Sequence, residues 1–154
     1  MNPSNRHFLD PTEQYDILHN VGLELLGSAP EGWKEITFIT TSLGGISQSE
    51  MLVQNEDGDV RRQRFPHGVM RKFAQLRAGM YQDGRGTWFS MTYTIIPPGK
   101  FSTQFNYDNP PEFTIPPSAS SYAADLDAFP REPENIPDWL HQKLREAETE
   151  TEQD

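Results

Sequence analysis

Apolar residues recur along this chain with two different periods. From Tyr15 through Leu18, Val21, Gly22 and Leu25 they fall three or four apart, the spacing of one helix face. Asp10-Pro11-Thr12-Glu13 precedes them. Asp10 is a capping residue, Pro11 suits the first helical position, and Glu13 stands where a capping box places an acid. The spacing predicts a helix that Gly27 ends. From Trp33 the period becomes two: Ile36 and Phe38 alternate with Thr37 and Ile39, which predicts a β-branched strand broken at Gly44-Gly45. "ISQSEMLVQ" reads as a second strand and Asp57-Gly58 as a hairpin turn. A third strand starts at Val60, and its "RRQR" marks an edge or a solvated face.

Helical spacing returns over Pro66 to Tyr81, with Val69, Met70, Phe73, Leu76 and Met80 on one side and Arg71, Lys72 and Arg77 placed away from it. Then comes the most aromatic stretch, "GTWFSMTYTIIPPGKFSTQFNYD". Phe89, Met91, Tyr93 and Ile95 alternate with Trp88, Ser90, Thr92 and Thr94. After the "PPGK" turn, Phe101, Thr103, Phe105 and Tyr107 alternate with Ser102, Gln104 and Asn106. Two strands with one aromatic face form a hairpin held by cross-strand pairs. The rest is helical tail: a Pro-rich connector, a short helix with Tyr122, Leu126 and Phe129, and a last helix from near Pro137 anchored by Trp139, Leu140 and Leu144. The expected architecture is α+β, an antiparallel, meander-like sheet of about five strands with an N-terminal, a middle and C-terminal helices packed on one face. Residues 1–144 read as a single domain, with 110–144 as connector and helical tail and 145–154 as an acidic disordered tail.

Charge narrows the classes of function. Thirteen basic and 23 acidic residues give −10, of which the last ten residues supply −4 and the body −6. Such a surface repels phosphate backbones, which argues against nucleic-acid binding, and favours encounter with a basic partner protein. Acidity for solubility alone is the simpler alternative. The absence of cysteine excludes disulfides, zinc-thiolate sites and thiol nucleophiles. The start, "MNPSNRHFLD", lacks the basic and apolar regions of a signal peptide, and no apolar run approaches the ~20 residues of a membrane span. The expected location is the cytoplasm, with no membrane partner.

Candidate chemistry is sparse. His7, His19, His67 and His141 show no metal-ligand spacing. No Gly-x-Ser-x-Gly elbow is present, and "QDGRG" is not a phosphate-binding loop. Asp57 and Asp59 flank a turn glycine, and Asp125 and Asp127 stand two apart, so on a helix they do not face each other. Solvated turns and helix faces account for them. The aromatic hairpin has the stacking residues of a single-strand platform but only Lys100 and Arg85 for charge, so it reads as core. By elimination a protein-binding role is favoured over an enzyme.

The chain resembles the YezG-like immunity protein family of bacterial polymorphic toxin systems. The resemblance rests on "PEGWKEITFI" after the first helix, on "TWFSMTYTIIPPGKFSTQFNYDNP", and on "PENIPDWLHQKL" in the last helix. The family's typical hairpin residues fall here on Trp88, Gly99, Lys100, Phe101, Phe105, Tyr107 and Asp108. The match runs in order over about residues 11 to 110, and the Pro-rich tail departs from the shortest members. The resemblance implies a protein without cofactor that binds and sterically blocks a cognate secreted toxin, a nuclease or an NAD-degrading enzyme, as a monomer or a 1:1 complex. Exposed acidic turns are the expected partner contacts: Glu56, Asp57 and Asp59 on the hairpin and Asp83 before the aromatic strand. Two other readings stand beside it. An adaptor or secretion-chaperone-like module would present an apolar groove, and a small hydrolase would bring carboxylates and a histidine together in one cavity.

Overall fold

The computed structural model describes residues 8–153, so His7 lies outside the described residues. Helix α1 runs over Pro11–Ser28 and begins with the expected capping box. Asp10 Oδ1 accepts from the Glu13 amide at 2.8 Å, and the Asp10 amide donates to Glu13 Oε1 at 3.0 Å. The helix passes Gly27 and closes one residue later, where the Ala29 amide reaches the Leu26 carbonyl. Leu18, Val21, Gly22 and Leu25 are buried as the spacing predicts. Tyr15 is not: it is 57% exposed and lies against Phe101, with ring centroids 5.8 Å apart.

Strands β1 (Trp33–Leu43), β2 (Ile46–Asn55) and β3 (Val60–Gln63) follow as a meander. Leu43 pairs with Ile46, so Gly44-Gly45 is a two-residue reversal. Gly58 takes a left-handed φ of +85° in the second turn, a conformation that favours glycine. Helix α2 (His67–Gly79) carries the chain across to β4 (Ser90–Ile96) and β5 (Lys100–Asn106). The result is α+β, with one five-stranded antiparallel sheet in the order β3-β2-β1-β4-β5. The meander is interrupted once, because β4 pairs with β1 and leaves β3 as an edge.

One face of the sheet carries Ile36, Phe38, Met51, Val53, Met91, Tyr93 and Ile95, and α1 and α2 pack on it through Leu18, Val21, Leu25, Val69, Phe73 and Leu76. Phe38 stacks on Phe73 at 5.1 Å, and the Tyr93 hydroxyl donates to the Leu18 carbonyl at 2.7 Å. Trp88 was expected opposite this face, yet it is fully buried in the same core as Met91. The alternation slips by one residue between them. The Phe89 amide bonds the Asn106 carbonyl just before β4 begins, and Phe89 points into a different cluster.

That second cluster corrects the placement of the C-terminal helices. Helices α3 (Ala119–Ala128) and α4 (Asp138–Gln153) pack on each other and on the end of the sheet, through Leu43, Phe89, Tyr122 and Leu140, rather than on the face held by α1 and α2. Helix α4 continues over 145–153, where the composition suggests a disordered acidic tail, and Ala147 is buried on it. Among the described residues no helix is long and apolar enough to cross a membrane.

Candidate functional site

The four predicted contact residues are all exposed, but three of them have partners. Glu56 lies 3.6 Å from Lys34 Nζ. Asp57 Oδ1 accepts from the Asp59 amide at 2.9 Å, the ordinary use of Asp in a turn. Asp59 Oδ2 accepts from Arg61 Nε at 2.7 Å, and this bond holds the Arg61 pKa above its usual value. The hairpin tip is therefore close to neutral rather than a concentrated negative patch. Asp83 is elsewhere. Trp33 pairs with Asn55 at one end of the sheet, whereas the 82–86 loop leads into β4, whose Ser90 pairs with Thr41 at the other end. The structure thus brings Glu56, Asp57 and Asp59 together and leaves Asp83 at the opposite end.

The larger feature is the sheet face that α1 and α2 do not cover. Register places Glu50, Ile39, Thr92 and Gln104 in one row across β2, β1, β4 and β5, and Gln48, Thr41, Ser90 and Asn106 in the next. These are the positions between the core residues, so period two makes these two rows polar apart from Ile39. The 109–114 connector crosses the end of this face from β5 to β2 and borders a cleft of about 760 Å³. It is tied at both ends. The Asn109 amide donates to Asn106 Oδ1 at 2.9 Å, the Asn106 side-chain amide returns a bond to the Asn109 carbonyl, and the Thr114 amide donates to Gln48 Oε1 at 2.8 Å.

Hydroxyls and amides of Thr41, Thr92, Ser90 and Asn106 line the floor, while Glu50, Arg62 and Glu112 stand at the walls. Arg62 pairs with Glu50 at 3.2 Å, so Glu112 is the wall charge with no ion pair among the described residues. Donors and acceptors in this pattern are suited to contact a polar surface. No histidine lines the cleft, and among the described residues no group of three or more His, Asp or Glu could hold a metal. His19 and His67 lie exposed on separate helices.

Sequence reasoning missed the most strongly organised polar groups. Arg77 and Asp125, both placed in solvent by their helix spacing, are buried and form a bidentate pair with both N–O distances 2.9 Å. Asp125 Oδ1 also accepts from the Gly44 amide at 2.9 Å, and Arg77 Nε donates to the Trp88 carbonyl at 2.7 Å. Arg131, whose side chain is 3% exposed, donates to the carbonyls of Thr87, Tyr107 and Asn135 and to Asp108 Oδ1. Through these two systems the C-terminal segment is tied to α2 by Arg77, to the β1–β2 turn by Gly44, to the loop before β4 by Thr87 and to the chain just after β5 by Tyr107 and Asp108. Their role is to fix the 110–153 region in place, and with it the connector that walls the cleft. A local signal for Asp125 does exist: it lies three residues after Tyr122 and one before Leu126, on the helix side that those apolar residues define.

No family model matches the chain, and no curated protein is significantly similar to it.

Proposed function

We propose that this protein acts by binding, as an immunity protein that occludes a cognate toxin domain, and that the contact is the uncovered sheet face with its connector wall. One observation carries the reading: a sheet face that α1 and α2 leave open, with an accessible cleft floored largely by uncharged hydrogen-bonding side chains around Ile39 and rimmed by Glu112, which makes no ion pair among the described residues. A convex, basic protein segment suits such a surface, which offers dispersed hydrogen-bonding groups with carboxylates at its walls. Net charge of −10 steers basic partners toward it. The resemblance to YezG-like immunity proteins makes the partner a nuclease or an NAD-degrading toxin. The mostly polar cleft gives little support to the chaperone-like alternative, which needs an apolar groove.

The test expresses the C-terminal domain of the protein encoded immediately upstream in a bacterium, with and without this chain. Growth arrest that co-expression relieves supports the reading. Thr92→Arg, which fills the floor, should abolish relief, whereas Lys34→Ala, at the other end of the sheet, should keep it. Relief by both variants would remove the sheet face from the mechanism. Arrest that the wild-type chain does not relieve would remove the immunity role.

A further inference from the structure

The two edges of the sheet are built differently. Edge β3 is four residues long and carries Arg61 and Arg62, the short charged design that discourages strand addition. Edge β5 is seven residues long, pairs with β4 in unbroken register, and has Lys100 at its first position as its sole charge. It has no proline within it. Its outer peptide groups can be assigned. The Asn106 carbonyl accepts from Phe89, so it points toward β4. Alternation then turns the peptide groups of Phe101, Thr103 and Phe105 outward. Among the described residues none of these three makes a backbone bond outside the β4 ladder. Along the same edge run partly exposed aromatic rings: Tyr15 against Phe101, and Phe105 against Tyr107.

We propose that β5 is the seam of a two-fold dimer, in which a second copy of this chain adds its own β5 antiparallel and joins two five-stranded sheets into one of ten. The sequence of the strand is what specifies a second copy. Lys-Phe-Ser-Thr-Gln-Phe-Asn is nearly palindromic in chemical type about Thr103. Antiparallel pairing about that residue sets Phe101 opposite Phe105 of the partner subunit, and Thr103 opposite Thr103 of the partner subunit. Ser102 then meets Gln104 of the partner subunit, and Lys100 meets Asn106 of the partner subunit. Aromatic pairs and Thr–Thr pairs are favourable cross-strand neighbours, and no like charges meet. An isologous interface requires this self-complementarity, whereas a foreign strand would not. The axis also falls on a residue whose own amide and carbonyl face outward, so the central pair can exchange two hydrogen bonds. Because each copy carries −10, this association tightens as salt rises.

Sedimentation velocity of the full chain, across the micromolar range, tests the seam. The expected species is a dimer of the 17.6 kDa chain that strengthens with salt. Thr103→Pro removes an outward amide and leaves the β4 ladder whole, and Thr103→Lys sets two ammonium groups face to face at the axis. Each should weaken the dimer about tenfold or more. Urea unfolding identifies a variant that fails to fold, in which case the other one carries the test. A chain that stays monomeric throughout, a dimer that loosens with salt, or a dimer indifferent to the folded variants would each overturn the proposal. A monomer whose toxin relief is lost in Thr103→Lys would assign the edge to a foreign strand instead.

Discussion

At the residue scale, burial turns ordinary side chains into constraints. Asp125 and Arg77 pair inside the protein, so removing one leaves the other buried without its counter-charge. Asp125→Ala should cost about 3–5 kcal/mol in urea unfolding, and pairing it with Arg77→Met should recover part of that loss. Glycine positions give a second contrast. A methyl at Gly22 would stand 2.5 Å from the Tyr93 hydroxyl, whereas one at Gly27 meets nothing within 4 Å. Gly22→Ala should therefore destabilise by about 1–3 kcal/mol and Gly27→Ala should stabilise by up to about 1 kcal/mol, as read by the same unfolding curves. Tyr93 itself is pushed well above the usual phenol pKa by burial, and burial raises Tyr107 too. The folded state thus holds these protons more tightly than the unfolded chain. Their contribution is complete below about pH 10 and is lost as pH rises beyond it. Urea midpoints at pH 8 and pH 11 should differ accordingly, and Tyr93→Phe should reduce the difference.

At the element scale, the C-terminal helices are part of the fold. They cover Leu43 and Phe89 and supply the partner of Arg77. A chain ending at residue 117 should expose that end and unfold or aggregate, and circular dichroism with light scattering would show it. A chain that kept its native urea midpoint would contradict the packing described here. Helices and strands were legible in the sequence because each buries one face, and one buried face writes a period of 3.6 or 2. What was not legible was anything joining distant segments. Arg77 and Asp125 are 48 residues apart, and each alone looks like a solvated helix residue. The slip beside Trp88 also left no local mark, since Trp88 and Phe89 are both apolar and enter different clusters. Composition alone does not distinguish the helix at 145–153, where Ala147 is buried while Glu148 and Glu150 are exposed.

At the scale of the whole molecule, charge and shape act on different events. With the basic toxin proposed above as partner, a net −10 should raise the encounter rate, so the association rate should fall as salt is raised through the physiological range, measurable by stopped-flow fluorescence. A rate independent of salt would leave shape alone to account for binding. The predicted acidic contacts were legible as exposed residues but not as a surface, because only folding decides that Glu56 and Asp59 pair locally and that Asp83 sits at the far end. The connector over the open face has one more consequence. It is held by backbone amides and by Asn106 and Gln48, and it lends Phe113 to the core beneath, while Glu112, Thr114 and Ile115 project outward. Those three positions can change identity without touching what keeps the chain folded. If the open face recognises the partner as proposed, gene duplicates that diverge there would acquire new preferences on an unchanged scaffold, with specificity written in a handful of surface letters.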